Sequence, residues 1–503
     1  MKEDDKSTSQ GLAHRTFSGF IWVLLGSGVQ VTLKIGVLAV LGRLVTPTDF
    51  GLMGIAMIVI EFSKMLSHMG IGPALVQRKE IEERHMVTGL TLSLALGAFF
   101  AVVLLSSSSY LAGFFRMPEL SKILQILALI FLIDSFTLIA QALLQRNMKF
   151  RISAGIEVLS YAVGYGCVGI FLAHLGFGVW ALVYGSLAQT CLLTILMLLA
   201  QPFPKKLGFE IKAFKDLILF GGGFTLAKMA NFLATQGDNL VVGRMLGASA
   251  LGIYGRAYQF MVMPAGLFGN TLDRTLFPAM AKVQGEKPRL AKAYLTGVSL
   301  IALVAIPLSF LTFILAPEII MVVLGPEWTA VIVPFQILTC GLLFRMSYKM
   351  SESLARATGA VYRRAWRQVV YATLVLTGSY FGQFWGLPGV ACGVLIALII
   401  NFSLMAHLSF QLTGLSWAQM IKAHKQGLLA GLITWVATSG IATLCRMEDF
   451  PDIVTLVFSA LGAGTTLLLT LIFFPGTLMN LESKELTGKL VPKRLKSFFF
   501  KHA

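Results

Sequence analysis

Long apolar stretches with few charges recur from one end of this sequence to the other. Of its 503 residues, 56% are hydrophobic and only 13% are charged. A run of about 20 apolar residues crosses the hydrocarbon core of a bilayer as a helix, because a helix satisfies its own backbone hydrogen bonds where no water is present. The sequence therefore predicts an all-α integral membrane protein and excludes a soluble globular enzyme.

The apolar stretches divide into about fourteen candidate transmembrane spans. They are centred roughly on residues 17–43, 50–75, 87–112, 121–144, 155–174, 178–200, 214–242, 250–280, 292–316, 330–357, 365–386, 388–411, 425–445 and 453–474. The basic tail that follows the last span is expected either to lie on anionic lipid headgroups or to be disordered.

Basic residues are divided very unevenly between the loops on the two sides of these spans. One side, which includes both termini, holds 29 of the 41 lysines and arginines, the other side holds six, and six lie within spans. Lys and Arg are retained in cytoplasmic loops, so both termini are predicted to be cytoplasmic. Orientation thus accounts for most of the net charge of 41 − 24 = +17, and no nucleic-acid partner is needed to explain it.

A short motif occurs twice, 201 residues apart. Residues 42–54 read GRLVTPTDFGLMG and residues 243–255 read GRMLGASALGIYG. Upstream, polar residues at helical spacing occupy matching positions: Ser27, Gln30 and Lys34 correspond to Lys228, Asn231 and Thr235. We interpret the motif glycines as sites of close helix approach.

The offset of 201 residues contains six predicted spans, an even number, so the two copies have the same orientation and form parallel repeats. The predicted architecture is two pseudo-symmetric six-helix bundles around a central cavity, followed by two extra helices. The corresponding regions are residues 1–204 for the first lobe, 205–413 for the second, and 414–503 for the extra helices and basic tail.

Charged residues form a stripe on one face of the tenth span. Arg345, Lys349, Glu352 and Arg356 are separated by steps of four, three and four residues, which places them on one side of a helix. An ionisable group inside the membrane costs at least about 2.5–3.5 kcal/mol, so such groups face protein or a water-filled cavity. Glu352 has two possible partners on this helix, Lys349 and Arg356.

Basic groups in three other spans extend this pattern: Lys34, Lys228 and Arg274. A positive cavity suits an anionic substrate such as a phosphate or diphosphate, whose oxygens accept charge-assisted hydrogen bonds. Gln30, Asn231 and Thr235 are candidates for hydrogen bonds to the substrate. The alternative is a self-neutralising network of salt bridges that holds the two bundles together.

Acidic residues within spans are candidates for coupling transport to an ion gradient, and we select Asp134, Asp238 and Glu352. Glu61 and Lys64, one turn apart, are expected to pair with each other. The sequence lacks a phosphate-binding G-x-x-x-x-G-K-[ST] loop and the common hydrolase motifs, and its five cysteines lack metal-ligand spacing. It therefore predicts no catalytic residues, metal site or cofactor, and favours transport over catalysis.

Several stretches resemble bacterial polysaccharide transporters of the colanic-acid-exporter type. The resemblance rests on LGRLVTPTDFGLMGIAMIVIEFSKMLSHMGIGPALVQRKE, FFRMPEL at 114–120, ALLQRNMKF at 142–150, GDNLVVGRMLGASALGIYGRAYQF at 237–260 and LFPAMAKVQ at 276–284. These Wzx-like flippases belong to the multidrug/oligosaccharidyl-lipid/polysaccharide superfamily. One departure is Gly42–Arg43, where such exporters commonly have Ala-Arg.

The resemblance implies a V-shaped cavity between two six-helix lobes, open alternately to each side of the bacterial inner membrane. It implies transport of an undecaprenyl-diphosphate-linked oligosaccharide to the outer leaflet, driven by an ion gradient; the related lipid II flippase also has fourteen spans and a basic cavity. Membrane lipids are the expected surroundings, and a glycan polymerase or export complex is a candidate partner. The alternatives are an ion-coupled exporter of small molecules and a polytopic enzyme of glycan assembly.

Overall fold

A computed structural model describes the backbone of residues 28, 30–78 and 80–473. Side chains are described over the same range except at 218–227, 230, 267–276 and 278–279. The beginning of the first predicted span and the basic tail lie outside the described residues. The described chain is helical throughout its regular structure, as the sequence predicts, and it divides into two compact units between Gly252 and Ile253.

The first unit contains ten helices and the start of an eleventh in its described part. They are α1 (30–44), α2 (Pro47–His68), α3 (Ile71–Gln77), α4 (Glu83–Phe115), α5 (Leu120–Leu127), α6 (Leu129–Arg146), α7 (Phe150–Tyr161), α8 (Ile170–His174), α9 (Val179–Ala200), α10 (Ile211–Met245) and the start of α11 (Ala248–Lys282). A π-helical segment, Ala162–Gly169, joins α7 to α8.

The second unit contains the rest of α11 and eight further helices. They are α12 (Lys287–Ile314), α13 (Ala316–Val323), α14 (Ile332–Thr339), α15 (Leu342–Ala357), α16 (Val361–Gly382), α17 (Gly386–Thr413), α18 (Trp417–Met447) and α19 (Asp452–Phe473). Short 3₁₀ turns, Pro326–Val331 and Gln383–Trp385, precede α14 and α17.

Glycines of the repeated motif allow α2 and the start of α11 to touch, as the sequence analysis predicts. A carbon added at Gly51 would lie 1.7 Å from the carbonyl oxygen of Ala248, and one added at Gly252 would lie 1.8 Å from that of Pro47. Backbone approach this close leaves no room for any other residue. The glycines are thus required by packing, and no ligand is needed to explain them.

The N-terminus of α2 is held by a capping box that also reaches α9. The Asp49 carboxylate accepts hydrogen bonds from the Thr46 backbone N–H at 3.2 Å and the Thr46 hydroxyl at 2.7 Å. Its other oxygen accepts from the Val179 N–H, at the first residue of α9, at 3.1 Å. A single carboxylate therefore satisfies N–H groups at two helix starts and complements both dipoles.

Small residues set the packing of α4 against α6. The Ser93 hydroxyl donates to the Ser135 carbonyl at 3.1 Å, and the Ser135 hydroxyl donates to the Ser93 carbonyl at 2.9 Å. One turn further along α4, Gly97 lies against the Phe131 carbonyl. Successive contacts therefore move forward along α4 and backward along α6, so the two helices are antiparallel neighbours. Hydrogen bonds between polar side chains and a neighbouring helix are common among membrane helices.

Glycine contacts likewise define two helix pairs in the second unit. Gly378 lies against Gly393, and Gly382 against Gly389, so α16 and α17 form a tight antiparallel hairpin. Gly427 lies against Ala302, and Gly431 against Ile306; this constant offset makes α12 and α18 parallel. Small residues let the backbones approach closely where lipid supplies no hydrophobic driving force.

A bidentate ion pair also fastens α18 to the rest of its unit. Arg446 donates from Nε to Glu318 Oε1 at 2.7 Å and from Nη2 to Glu318 Oε2 at 3.0 Å. The same Nη2 donates to the Ile314 carbonyl at 3.0 Å, which satisfies one of the open acceptors at the end of α12.

Nine helical stretches within the described residues are long and apolar enough to cross a membrane. A tenth results if Pro326–Thr339 and Leu342–Ala357, bent by 47°, form one span. One of the nine, Val361–Thr413, contains the whole α16–α17 hairpin and hence two of the predicted spans. The multi-pass helical architecture is therefore established, whereas the total of fourteen spans and the lobe boundaries at 204 and 413 stay predictions.

Candidate functional site

The basic stripe of the tenth predicted span begins with Arg345 on α15. Its side chain is buried, with 6% of its surface exposed, and its guanidinium carbon lies 5.1 Å from the ring centre of Tyr258 on α11. It forms no ion pair with a carboxylate of the described chain. A buried cation whose counter-charge is an aromatic face retains an unmet demand for an anion.

Tyrosines surround this arginine. Tyr258, Tyr348 and Tyr371 all interact electrostatically with the Arg345 guanidinium. The rings of Tyr348 and Tyr371 are 6.2 Å apart, and those of Tyr254 and Tyr258 are also 6.2 Å apart. Phenol hydroxyls both donate and accept hydrogen bonds. Tyr254, Tyr348 and Tyr371 are buried, so these rings form a polar aromatic environment for the Arg345 guanidinium in the protein interior.

The other charged residues of the stripe, Lys349, Glu352 and Arg356, lie in different surroundings. Glu352 forms its ion pair with Arg364 on α16, a partner from another helix that spacing along α15 does not reveal. Arg356 is exposed, and its guanidinium carbon lies 5.2 Å from the ring centre of Phe277. Lys349 is half-buried. Glu352 is thus paired with a base on a neighbouring helix, and among the described side chains no carboxylate pairs with Arg345.

The polar residues of the repeat lie in the first unit. On α1, Gln30 and Lys34 are half-buried, and Lys34 Nζ lies 5.7 Å from the ring centre of Tyr161. On α10, Lys228 and Asn231 are exposed. The Thr235 hydroxyl donates at 3.0 Å to the Asn231 carbonyl, so this hydroxyl proton is used within α10. Like Arg345, Lys34 has its charged group close to a tyrosine ring.

Asp134 lies at the centre of a charged cluster between α2 and α6. Its Oδ2 is 2.9 Å from Lys64 Nζ and 2.9 Å from His68 Nε2. The prediction that Lys64 pairs with Glu61 is therefore wrong. Glu61 is exposed whereas Asp134 is buried, and a buried carboxylate gains more from a counter-charge than an exposed one does. The helical spacing of Lys64 and His68 on one face of α2 was the available signal for this cluster.

The third coupling candidate, Asp238, is buried on α10 with 1% of its surface exposed. Its carboxylate accepts a hydrogen bond from the N–H of Asn239 at 2.9 Å. The Asn239 side chain donates to Gln236 at 2.8 Å. Asp238 thus belongs to a polar patch on its own helix.

The candidate residues are divided between the two units. Gln30, Lys34, Asp134, Lys228, Asn231, Thr235 and Asp238 belong to the first, and Arg345, Lys349 and Glu352 to the second. The side chain of Arg274 lies outside the described residues. The Arg345 group with its tyrosines is therefore the anion site that the described side chains define best, and its union with Lys34 and Lys228 in one cavity stays a prediction.

Comparisons with known proteins identify the family of this chain. Residues 40–333 match the model of a family described as polysaccharide biosynthesis protein. Over 399 residues the chain is 26% identical to the lipopolysaccharide biosynthesis protein WzxC of Escherichia coli (strain K12), covering 78% of this chain and 80% of the relative. Over 353 residues it is 29% identical to the teichuronic acid biosynthesis protein TuaB of Bacillus subtilis (strain 168), covering 69% and 72%.

Among solved structures, the fold is similar to that of the lipid II flippase MurJ in an inward closed conformation. The TM-score is 0.72 at 15% identity, covering 92% of this chain and 100% of that one. At this identity the likeness concerns the fold alone. The family match, in contrast, covers more than half of the chain, and this chain accordingly belongs to the polysaccharide biosynthesis protein family.

Proposed function

We propose that this protein is a flippase for lipid-linked oligosaccharides. Its substrate is an undecaprenyl-diphosphate-linked repeat unit of lipopolysaccharide, capsule or exopolysaccharide, which it moves from the cytoplasmic to the outer leaflet of the bacterial inner membrane. Membership of a polysaccharide biosynthesis family and relatives named for lipopolysaccharide and teichuronic acid biosynthesis support this class of cargo. We assign it transport and not catalysis.

The burial of Arg345 in surroundings of tyrosine rings is the observation that carries the proposal. A buried guanidinium that pairs with no carboxylate among the described side chains is costly within a membrane, and a diphosphate supplies negative charge together with several acceptor oxygens. The ring of Tyr258 holds the guanidinium in place before substrate arrives, which lowers the entropy lost on binding. We assign the diphosphate to Arg345 and Lys349, with Lys34, Lys228 and Arg274 completing a basic cavity.

The sugars of the substrate then bind to hydroxyls and amides, including Gln30, Asn231 and Thr235. In our proposal fourteen spans form two six-helix lobes with both termini cytoplasmic, and the lobes rock to change access. Rocking transports nothing unless substrate or ion binds the two states differently. The lipid tail stays in the bilayer throughout. A glycan polymerase or export complex receives the product.

We assign the coupling role to the cluster of Asp134, Lys64 and His68, in preference to Asp238 and Glu352. Lys64 Nζ and His68 Nε2 each lie 2.9 Å from the buried Asp134 carboxylate, so this cluster brings three ionisable groups together. A proton taken up there changes the balance of charge between α2 and α6. Glu352 is held by Arg364, which makes it the weaker candidate.

An exporter of small cationic molecules is the less favourable alternative. Such a protein requires acidic groups that are free to bind a cation, but Asp134, Glu318 and Glu352 are each bound by a basic side chain. The likeness to the fold of multidrug transporters does not bear on cargo. Because these ion pairs occupy the three carboxylates, an anionic substrate fits the described charges better than a cation does.

The test is a leaflet assay in bacterial cells whose own flippase gene has been replaced by this one. Surface glycan and the precursor pool on the cytoplasmic face are both measured, and each value is divided by the amount of protein in the membrane. Arg345→Gln should lower transport per molecule by roughly 10- to 100-fold, the loss of a charge-assisted hydrogen bond to substrate. Arg345→Lys should retain part of the activity.

Arg367→Gln is the matched control, because it also removes a buried guanidinium from the same unit. The Arg367 side chain donates to the carbonyls of Leu404 and Arg363 and lies over the ring of Trp366, so its role is structural. This variant should lower the amount of folded protein while transport per molecule is unchanged. If Arg345→Gln behaves in the same way, Arg345 is structural and the diphosphate site lies elsewhere.

A further inference from the structure

The first unit contains an apolar cavity bordered by α2, α4 and α10. Its volume is about 310 Å³, within the size range of small-molecule sites. Its lining is almost wholly hydrocarbon, with Ile58, Phe114, Phe232 and Leu240 among the apolar side chains and Ser63 and Ser107 as the two polar residues. Of the two serines, Ser107 uses its hydroxyl proton on the Val103 carbonyl. The wall thus offers contacts to a hydrocarbon chain and few to a sugar.

A cation marks one end of this cavity. Arg244, at the end of α10, has its guanidinium carbon 5.0 Å from the ring centre of Phe114, which lines the cavity. Its Nη1 is buried and has no hydrogen-bond partner within the described structure. A buried donor without a partner is costly, and an anion bound beside Phe114 would satisfy it.

The charge bias of the loops places Arg244 on the non-cytoplasmic side. The lining residues extend from the middle of α2 toward the ends of α4 and α10 on that same side. An apolar cavity in the outer half of the membrane, with a guanidinium at headgroup depth, matches the chemistry of a lipid with an anionic headgroup.

We propose that this cavity is an exit subsite for the substrate: it binds the first isoprenoid units of the lipid chain after the headgroup has crossed, while Arg244 contacts the diphosphate. The inference rests on the proposed function, which supplies a prenyl diphosphate as cargo. The occupant is the chain of the substrate and not a phospholipid of the bilayer. The site is distinct from the Arg345 group, which belongs to the other unit.

Photolabelling of the purified full-length protein in lipid nanodiscs tests this proposal. The probe is farnesyl diphosphate with a diazirine on its chain, and mass spectrometry maps the labelled peptides. Label is expected in α2, α4 and α10 at cavity residues, and unlabelled farnesyl diphosphate should compete with it. A diazirine-bearing phosphatidylglycerol, used in parallel, should label these residues weakly and should not displace the prenyl probe.

Two serines on α4 provide a matched pair of variants. Ser107 lines the cavity and Ser106 is exposed beside it, and each hydroxyl donates to a carbonyl of its own helix at 2.6 Å. Ser107→Trp fills the cavity and should abolish the competed label, whereas Ser106→Trp should leave it unchanged. Arg244→Gln should weaken farnesyl diphosphate competition by roughly 10- to 100-fold and leave competition by farnesol unchanged.

The proposal is overturned if Ser107→Trp retains the competed label, or if phosphatidylglycerol displaces the prenyl probe as well as farnesyl diphosphate does. The leaflet assay separates these failures from failure of the proposed function. If the unmodified chain transports glycan but the cavity stays unlabelled, only the exit subsite is wrong. If the cavity is labelled but the unmodified chain moves no glycan, the flippase proposal is wrong, and the exit role fails with it.

Discussion

Gly51 and Gly252 occupy the same position in the two copies of the repeated motif, and each lies directly against a carbonyl of the opposite copy. Gly51 meets Ala248 and Gly252 meets Pro47. Because Ala248 is itself the counterpart of Pro47 at the offset of 201 residues, the two contacts are one contact repeated by local two-fold pseudo-symmetry. The internal repeat is therefore visible in the helix packing as well as in the amino-acid sequence.

These glycines should tolerate no side chain. Gly51→Ala or Gly252→Ala forces two backbones apart, so we expect each variant to lose at least the roughly 1–3 kcal/mol typical of overpacking. Thermal unfolding of the purified protein in detergent measures this loss. Gly54 and Gly255, the last glycines of the two motif copies, are the controls: a carbon at Gly54 makes an ordinary 3.5 Å contact with Leu251, and one at Gly255 meets nothing within 4 Å in the described structure. Equal loss at Gly54 and Gly51 would contradict the packing argument.

Asp134→Asn should remove the dependence of transport on a pH gradient. The neutral amide cannot exchange a proton with His68, and it leaves Lys64 without its counter-charge. Transport is measured in membrane vesicles with and without an imposed gradient. Since breaking one partner of a buried pair is destabilising, the double variant Asp134→Asn with Lys64→Gln serves to maintain folding.

Glu61→Gln is the control for this measurement. Glu61 lies on α2 one turn from Lys64 but is exposed and outside the ion pair, so its variant should keep the gradient dependence. If the double variant is folded and still responds to the gradient, the Asp134 cluster is structural, and Asp238 or Glu352 becomes the candidate.

Reversing the charge of Arg78 or Asp216 alone should lower stability, whereas exchanging the two residues with each other should largely preserve it. The Arg78 guanidinium donates to Asp216 at 2.8 Å and links the end of α3 to α10. Both side chains are about one-third exposed, so each of Arg78→Asp and Asp216→Arg should cost about 1 kcal/mol or somewhat more from like-charge repulsion. The double exchange should recover most of the melting temperature.

The ion pair of Lys206 with Glu83 is the control for this exchange, because both of its side chains are mostly exposed. Neither its single nor its double reversals should shift the melting temperature measurably. Failure of the Arg78–Asp216 double variant to recover would show that one partner has a further essential contact; His85, 3.7 Å from Asp216, is the first to examine.

Glu318→Gln should weaken the attachment of α18 to the rest of its unit. The Glu318 carboxylate is buried and receives two hydrogen bonds from Arg446. Arg446 is nearly half-exposed, so the expected loss is roughly 1–3 kcal/mol, below that of a fully buried pair. Limited proteolysis after residue 413, together with thermal unfolding, measures it. Glu327→Gln, an exposed carboxylate in the same region, should change neither; protease resistance equal to wild type in Glu318→Gln would contradict the expectation.

Some features of this protein follow from the order of its residues alone. Apolar runs of membrane-spanning length predict helices, because a lipid environment permits few other structures. The repeated motif predicts close helix contacts at Gly51 and Gly252, because only glycine lacks a side chain. The charge of Arg345 in an apolar stretch predicts a functional group, because an isolated cation is otherwise too costly there.

The partners of these groups were decided only by the tertiary structure. Lys64 is three residues from Glu61 but binds Asp134, seventy residues away, and Glu352 binds Arg364 of the next helix in place of Lys349 or Arg356 as its ion-pair partner. Spacing along one helix shows which side chains share a face, but it does not show which face meets which neighbour. That depends on how small residues such as Gly97, Gly382 and Gly427 bring pairs of helices together, and this information lies in the tertiary packing.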